Sequence, residues 1–277
     1  MTTVGEIVAI LDGFFPPRLA AEWDAPGLSV GDPTAPVERV LFAVDPVMAV
    51  ADEAADWSAT MLVTHHPLML RGVTTVAANT AKGAVVHRLI LSGCALYSAH
   101  TNADAASPGV ADALAAAIGL TDTRPLVPDG AEPAFGTGRV GALAAPATLR
   151  QFAQAVADAL PATAPGVRVA GDLDAMIRTV AVLGGSGGPF LEAARAADVD
   201  AYVTADLRHH PASEARELAL LTDGRPALVD VSHFASEWLW LAAAAARLAA
   251  EAGVETKVST LNTDPWTGRF GATAQDA

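Results

Sequence analysis

The chain has 277 residues, 52% of them hydrophobic and 17% charged, a balance that excludes a disordered protein and allows one large domain or two ordinary ones. Acidic residues outnumber basic ones by 31 to 17, and the resulting net charge of −14 repels phosphate backbones, so nucleic acid is disfavoured as a partner. Cys94 is the single cysteine, which excludes intrachain disulfides and thiolate metal clusters and reads as a small buried hydrophobe.

In chain order, the first apolar periodicity covers 4–19, with Ile7, Ile10, Leu11 and Phe14 at helical spacing and Pro16-Pro17 at its end. Glu6 and Asp12 interrupt it and no basic segment precedes it, so it does not read as a signal peptide. A polar stretch, 22–28, follows. The pattern then alternates: strand 40–44, helix 46–57, strand 59–63, helix 80–92, strand 95–98, and a helix ending at Ile118-Gly119 whose start is assigned to Ser107-Pro108. Residues 122–138 are rich in Pro and Gly and read as a loop and domain boundary. Beyond it lie an apolar run 140–143, a helix 147–160, a strand 179–183, the glycine-rich loop Gly184–Gly188 opening a helix 190–197, strands 201–204 and 227–231, and a long helix 233–252 stopped by Gly253. Within that helix the uncharged run ends at Arg247 after nine residues, far short of the ~20 that cross a bilayer. The expectation is a cytoplasmic α/β protein with mainly parallel or mixed sheets and no membrane partner.

The histidines carry the chemistry. Strand 59–63 runs into His65-His66, strand 95–98 into His100 and Asp104, strand 201–204 into Asp206, and strand 227–231 into His233 and Glu237. Parallel strands end on one rim, the edge where open α/β sheets bind ligands, so residues distant in sequence converge there. Neutral imidazoles with carboxylates make a set suited to divalent cations, and Asp104 and Glu237 can each bridge a pair of ions. His233 and Glu237, four apart at a helix start, share one face. Singly, each residue has a plainer reading: a hydrogen-bonded strand-end histidine, a helix-start pair, or, for His209-His210 beside Arg208, a solvated turn. Gly184–Gly188 reads as a tight turn or an anion cradle, but it lacks the lysine of a phosphate loop. Taken jointly, the pattern favours a metal centre over a nucleophilic triad.

These residues also resemble a known family, the Nif3-like, dinuclear-metal, toroid-forming proteins, or GTP cyclohydrolase I type 2 homologues. The similarity runs through Trp23-Asp24 to Gly31, Thr64-His65-His66-Pro67-Leu68, Ala99-His100-Thr101-Asn102-Ala103-Asp104, Gly184-Gly185-Ser186-Gly187, Thr204-Ala205-Asp206 and Asp230 to Glu237. The resemblance implies His65, His66, Asp104, His233 and Glu237 as ligands of two divalent metal ions per chain, which could be zinc, iron, manganese, nickel or cobalt. It implies two interleaved α/β domains, 1–128 with 223–277 holding the metals and 129–222 forming the second, in the short form of the family that lacks a mid-chain insertion. It further implies a homohexamer built as a trimer of dimers. Ala205, Ser232 and Arg208-His209-His210 depart from the family's usual residues, beside the five ligands rather than among them. The function expected is a metal-dependent hydrolase of a small-molecule substrate, of GTP cyclohydrolase type, with His100 as catalytic proton shuttle. The alternative is a non-catalytic metal-binding or scaffold ring.

Overall fold

The computed structural model describes residues 2–270. Helix α1 (Val4–Phe14) is capped by Thr3, whose Oγ1 accepts from the Glu6 amide while the Glu6 carboxylate accepts from the Thr3 amide. It stops earlier than the expected 19, because Phe15 leaves the helical region and Pro16-Pro17 cannot continue the hydrogen-bond ladder. There follow β1 (Gly27–Val30), β2 (Arg39–Ala43), α2 (Met48–Asp56), β3 (Met61–Thr64), α3 (Ala81–Leu91), β4 (Ala95–Ser98), α4 (Thr101–Ala105) and α5 (Val110–Ala117). The second stretch contains β5 (Leu120–Pro128), β6 (Gly136–Thr148), α6 (Leu149–Ala159), β7 (Arg168–Ala170), β8 (Met176–Ser186), α7 (Leu191–Ala196), β9 (Ala201–Ala205), α8 (His209–Leu220) and β10 (Ala227–Val231). The chain ends in α9 (His233–Trp238), α10 (Trp240–Ala252) and β11 (Glu255–Val258).

Two mixed sheets form. The first has the order β1-β4-β3-β2-β11, with β4, β3, β2 and β11 parallel and β1 antiparallel at the edge. The second has the order β5-β6-β8-β9-β10-β7, parallel across β8, β9 and β10 and antiparallel elsewhere. Strands β2, β3, β4, β9 and β10 are short, nearly continuous apolar runs buried almost throughout because both faces are covered. In β2, Val40 and Phe42 join the core beneath α1 and α10, whereas Leu41 and Ala43 join the core beneath α2 and α3. In β9, Ala201 and Val203 pack toward α5 and α6, while Tyr202 packs against the α7 and α8 side.

The sheets divide the chain differently from the expected 1–128 with 223–277 against 129–222. Strand β5 and strand β10 both belong to the six-stranded sheet, while β11 returns to the five-stranded one. The supposed loop 122–138 is the β5–β6 hairpin, whose Pro125 and Pro128 sit on an edge strand where a missing N–H costs no pairing. Helix α5 begins after Gly109, whose amide donates to Asp112 at 2.9 Å, and not at Ser107-Pro108, which precedes it as a cis peptide. The long terminal helix is divided at Leu239 into α9 and α10, with Gly253 in the left-handed conformation ending it as expected. Among the described residues, no helix is long and apolar enough to cross a membrane.

Candidate metal centre

The carboxyl ends of the parallel strands do bear the titratable residues, but they make two rims rather than one, and the rims face each other. Register pairs Ala43, Thr64 and Ser98 across the first sheet, and Ala205 with Val231 in the second. Beyond those pairs the first sheet releases Asp45, His65, His66, His100 and Asp104, and the second releases Asp206, His233 and Glu237.

Glu237 lies at the middle, 2% exposed. Its Oε1 is 3.0 Å from His233 Nε2 and 3.3 Å from His65 Nε2, and its Oε2 is 3.1 Å from His66 Nε2. His66 Nε2 and His233 Nε2 are 3.1 Å apart. Asp104 joins from α4, its Oδ1 3.7 Å from His65 Nε2. The five residues singled out in the sequence therefore meet at one point.

Each imidazole is held from behind. His65 Nδ1 is 2.9 Å from the Ala99 carbonyl, His66 Nδ1 2.7 Å from Asp45 Oδ1, and His233 Nδ1 2.8 Å from Asp206 Oδ2. These partners only accept, so each Nδ1 carries the proton and each neutral ring aims its Nε2 lone pair into the centre. Lone pairs facing a carboxylate repel unless a proton or a cation lies between them. Without a cation, protons take that role. Burial disfavours the imidazolium of His66, but Glu237 and Asp45 outweigh it and lift its pKa to about 10. His233 is lifted to about 11 against the same burial cost, by Glu237 and Asp206. Burial would also raise Glu237, yet His65, His66 and His233 hold it well below the ordinary carboxylate value. Asp104 is pushed up to about 7 by burial and by the charge of Glu237.

A metal fits this donor set. His65 Nε2, Asp104 Oδ1 and Glu237 Oε2 are buried without a hydrogen-bond partner, which is costly unless something else satisfies them. The ligand atoms of His66, His233 and Glu237 lie within 4.8 Å of one another, as do those of His65, His66 and His100, so each trio could hold an ion. His100, at the N-cap of α4, thus stands within the cluster. Its Nδ1 is 2.8 Å from Asp24 Oδ1, and Asp24 also accepts from Thr101 Oγ1 and the Thr101 amide. Burial works against the charge on Asp24, but those bonds keep it far below its ordinary pKa.

The glycine loop has a steric explanation in place of the anion cradle. At Gly185, φ is +68° and an added Cβ would lie 2.3 Å from Glu237 Oε1. At Gly187 a Cβ would lie 2.0 Å from Thr204 Oγ1. The loop is thin so that Glu237 can pack against it, and the Gly185 amide donates to Ser236 Oγ at 2.9 Å. His209 and His210 are exposed at the start of α8, outside the cluster.

Asp45 was not singled out and Asp206 was placed at a strand end without a role, although both follow strands in the same way as the histidines and hold His66 and His233. Beside His66 and His233 a cavity of about 770 Å³ opens, lined in part by Arg168, Trp266, Arg269 and Phe270. Nothing in the spacing of the C-terminal segment signalled that it would wall the centre.

The profile of the Duf34/NIF3 (NGG1p interacting factor 3) family matches residues 2–265. A Streptomyces coelicolor protein named GTP cyclohydrolase 1 type 2 homolog is 52% identical, over 98% of this chain and 96% of its own. The namesake from Mycobacterium tuberculosis is 37% identical over 371 aligned positions, more than the 277 of this chain, so it carries inserted sequence. Among solved structures, the Bacillus cereus protein related to NIF3 superposes with a TM-score of 0.87 at 26% identity, covering 96% of this chain and 99% of that one. Reduced HcgD from Methanocaldococcus jannaschii gives 0.77 at 27% identity, covering 94% and 98%.

Proposed function

The chain belongs to the Duf34/NIF3 family, and from that premise we propose that it is a metal-dependent hydrolase whose two divalent cations are held by His65, His66, Asp104, His233 and Glu237. One observation carries the reading: three imidazoles, each tied at Nδ1 to an acceptor, turn their Nε2 atoms onto a single buried carboxylate. Divalent cations bound there supply Lewis acidity and lower the pKa of water to about 7. Zinc, iron, manganese, nickel and cobalt all accept such mixed ligands.

The chain's own residues complete the chemistry. His100, oriented by the ionised Asp24, presents its Nε2 to the centre and is the group that holds or moves a proton beside the reacting atoms. Asp45 and Asp206 fix the ring orientation of His66 and His233. A small molecule reaches the centre through the adjoining cavity, where the exposed ring of Trp266 and the guanidinium of Arg269 suit a flat, anionic substrate. The name shared by the curated relatives supports a cyclohydrolase-type reaction on a nucleotide or related compound. A homohexameric ring, a trimer of dimers, belongs to the same proposal.

The test is turnover of GTP and a panel of other nucleotides by metal-loaded protein, compared with Asp104→Ala. Turnover should fall at least a hundredfold in the variant. Equal rates in both proteins remove the hydrolase reading, and metal retention without turnover of any compound transfers the centre to the scaffold alternative.

A further inference from the structure

The residues that orient the two sides of the centre are themselves gripped by Thr263 and Asp264, two side chains that no part of the proposed reaction uses. After β11 the chain crosses back over the site. The Ser259 amide donates to the Phe42 carbonyl at 2.8 Å, and the Ser259 carbonyl accepts from Trp238 Nε1 at 3.0 Å. Asn262 Nδ2 reaches the Ala162 carbonyl at 3.1 Å. The segment is therefore anchored to β2, to α9 and to the turn after α6 before it arrives at the cavity.

Two consecutive side chains then point in opposite directions. Thr263 Oγ1 donates to Asp45 Oδ2, the oxygen that His66 does not use. Asp264 Oδ2 accepts from Ser232 Oγ, while its Oδ1 accepts from the Trp266 amide at 2.9 Å. Ser232 is the N-cap of α9 and accepts in turn from the Ala235 amide at 3.3 Å. Asp45 belongs to the rim of the five-stranded sheet and orients His66. Ser232 belongs to the rim of the six-stranded sheet and starts the helix that carries His233 and Glu237.

We propose that Thr263 and Asp264 are positioning residues, a clasp that joins the two rims and sets the spacing between His66 on one side and His233 with Glu237 on the other. The inference rests on the reading of the centre as a metal site. A hydroxyl and a carboxylate on adjacent residues are a short, stiff link, so neither rim moves without the other. Charge-assisted bonds at both ends make the link stronger than two neutral contacts. Partners that orient metal ligands from behind typically change metal affinity 10- to 100-fold when removed.

The experiment titrates the metal-free full chain with Co2+ in competition with a chromogenic chelator and records the visible absorption of the Co2+ protein. Thr263→Val, which keeps the shape and removes the hydroxyl, should weaken Co2+ binding about tenfold or more and alter the absorption envelope. Thr263→Ser, which keeps the hydroxyl, should restore both. Since Thr263 acts through Asp45, Thr263→Val combined with Asp45→Asn should bind no more weakly than Asp45→Asn alone. A Thr263→Val protein that binds as wild type overturns the clasp, as does a serine variant as weak as the valine one, or a double variant whose losses add. A wild-type protein that takes up no Co2+ overturns the metal reading itself, and the clasp with it.

Discussion

At His66, His233 and Asp104 protons would compete with the proposed cations for the same atoms, and the pKa directions give the sign of that competition. In the metal-free protein the folded state raises all three groups, to about 10, 11 and 7. A group raised on folding contributes stability that is complete below its unfolded value and is lost as pH climbs through its folded value. For Asp104 the loss spans about 4 to 7, and for the two imidazoles about 6.5 to 10 or 11. Glu237 runs the other way, its contribution present above its ordinary value and lost in acid. A cation must displace the protons, so its affinity rises with pH across the same windows. Saturating Zn2+ should therefore raise the melting temperature of the metal-free protein more at pH 8 than at pH 6. Thermal unfolding at the two pH values checks this, and an equal or larger shift at pH 6 contradicts it.

Among the elements, the β5–β6 hairpin and α5 are bound by a buried arginine outside the candidate metal centre. Arg139 is 2% exposed, and its guanidinium takes Asp112 through both Nε and Nη2, along with the carbonyls of Ala106, Gly136 and Gly138. Arg139→Leu leaves those carbonyls and the partly buried Asp112 without their donor. It should lower the unfolding free energy by about 3 kcal/mol, the low end for a broken buried pair because Asp112 retains some solvent. Urea unfolding measures it, and a loss below 1 kcal/mol would show that water replaces the guanidinium.

This hairpin also marks where the sequence stops being readable. Pro125, Pro128, Gly136 and Gly138 look like loop chemistry; the prolines are tolerated because β5 is an edge strand, whereas the two glycines lie in β6, paired on both sides. The inner strands were legible because burial on both faces leaves an unbroken apolar run ending in a polar residue. The same logic placed Asp206 on the rim and would have reached Asp45, but the role of each as an acceptor depends on which ring it meets. The division at Leu239 was not legible, since both flanking helices share helical backbone there and favour the same residues. Nor was the pairing of Thr263 with Asp45, 218 positions apart, for which no local pattern exists.

For the molecule as a whole, the order of segments makes the centre a joint between two sheets. The first sheet takes residues 27–98 and 255–258, the second takes the stretch between, and the chain's return through α9 and α10 brings Glu237 back to the histidines that β3 released. Neither sheet holds a complete ligand set, so an ion bound there ties the two together and stabilises the folded chain by its binding free energy. The measurement that bears most directly on this is the metal content of protein purified without added metal. Wild type should retain about two divalent ions per chain, and Glu237→Ala, which removes the carboxylate common to three imidazoles, should lose them. Wild-type protein without metal, or a Glu237→Ala protein that keeps as much as wild type, would contradict the account.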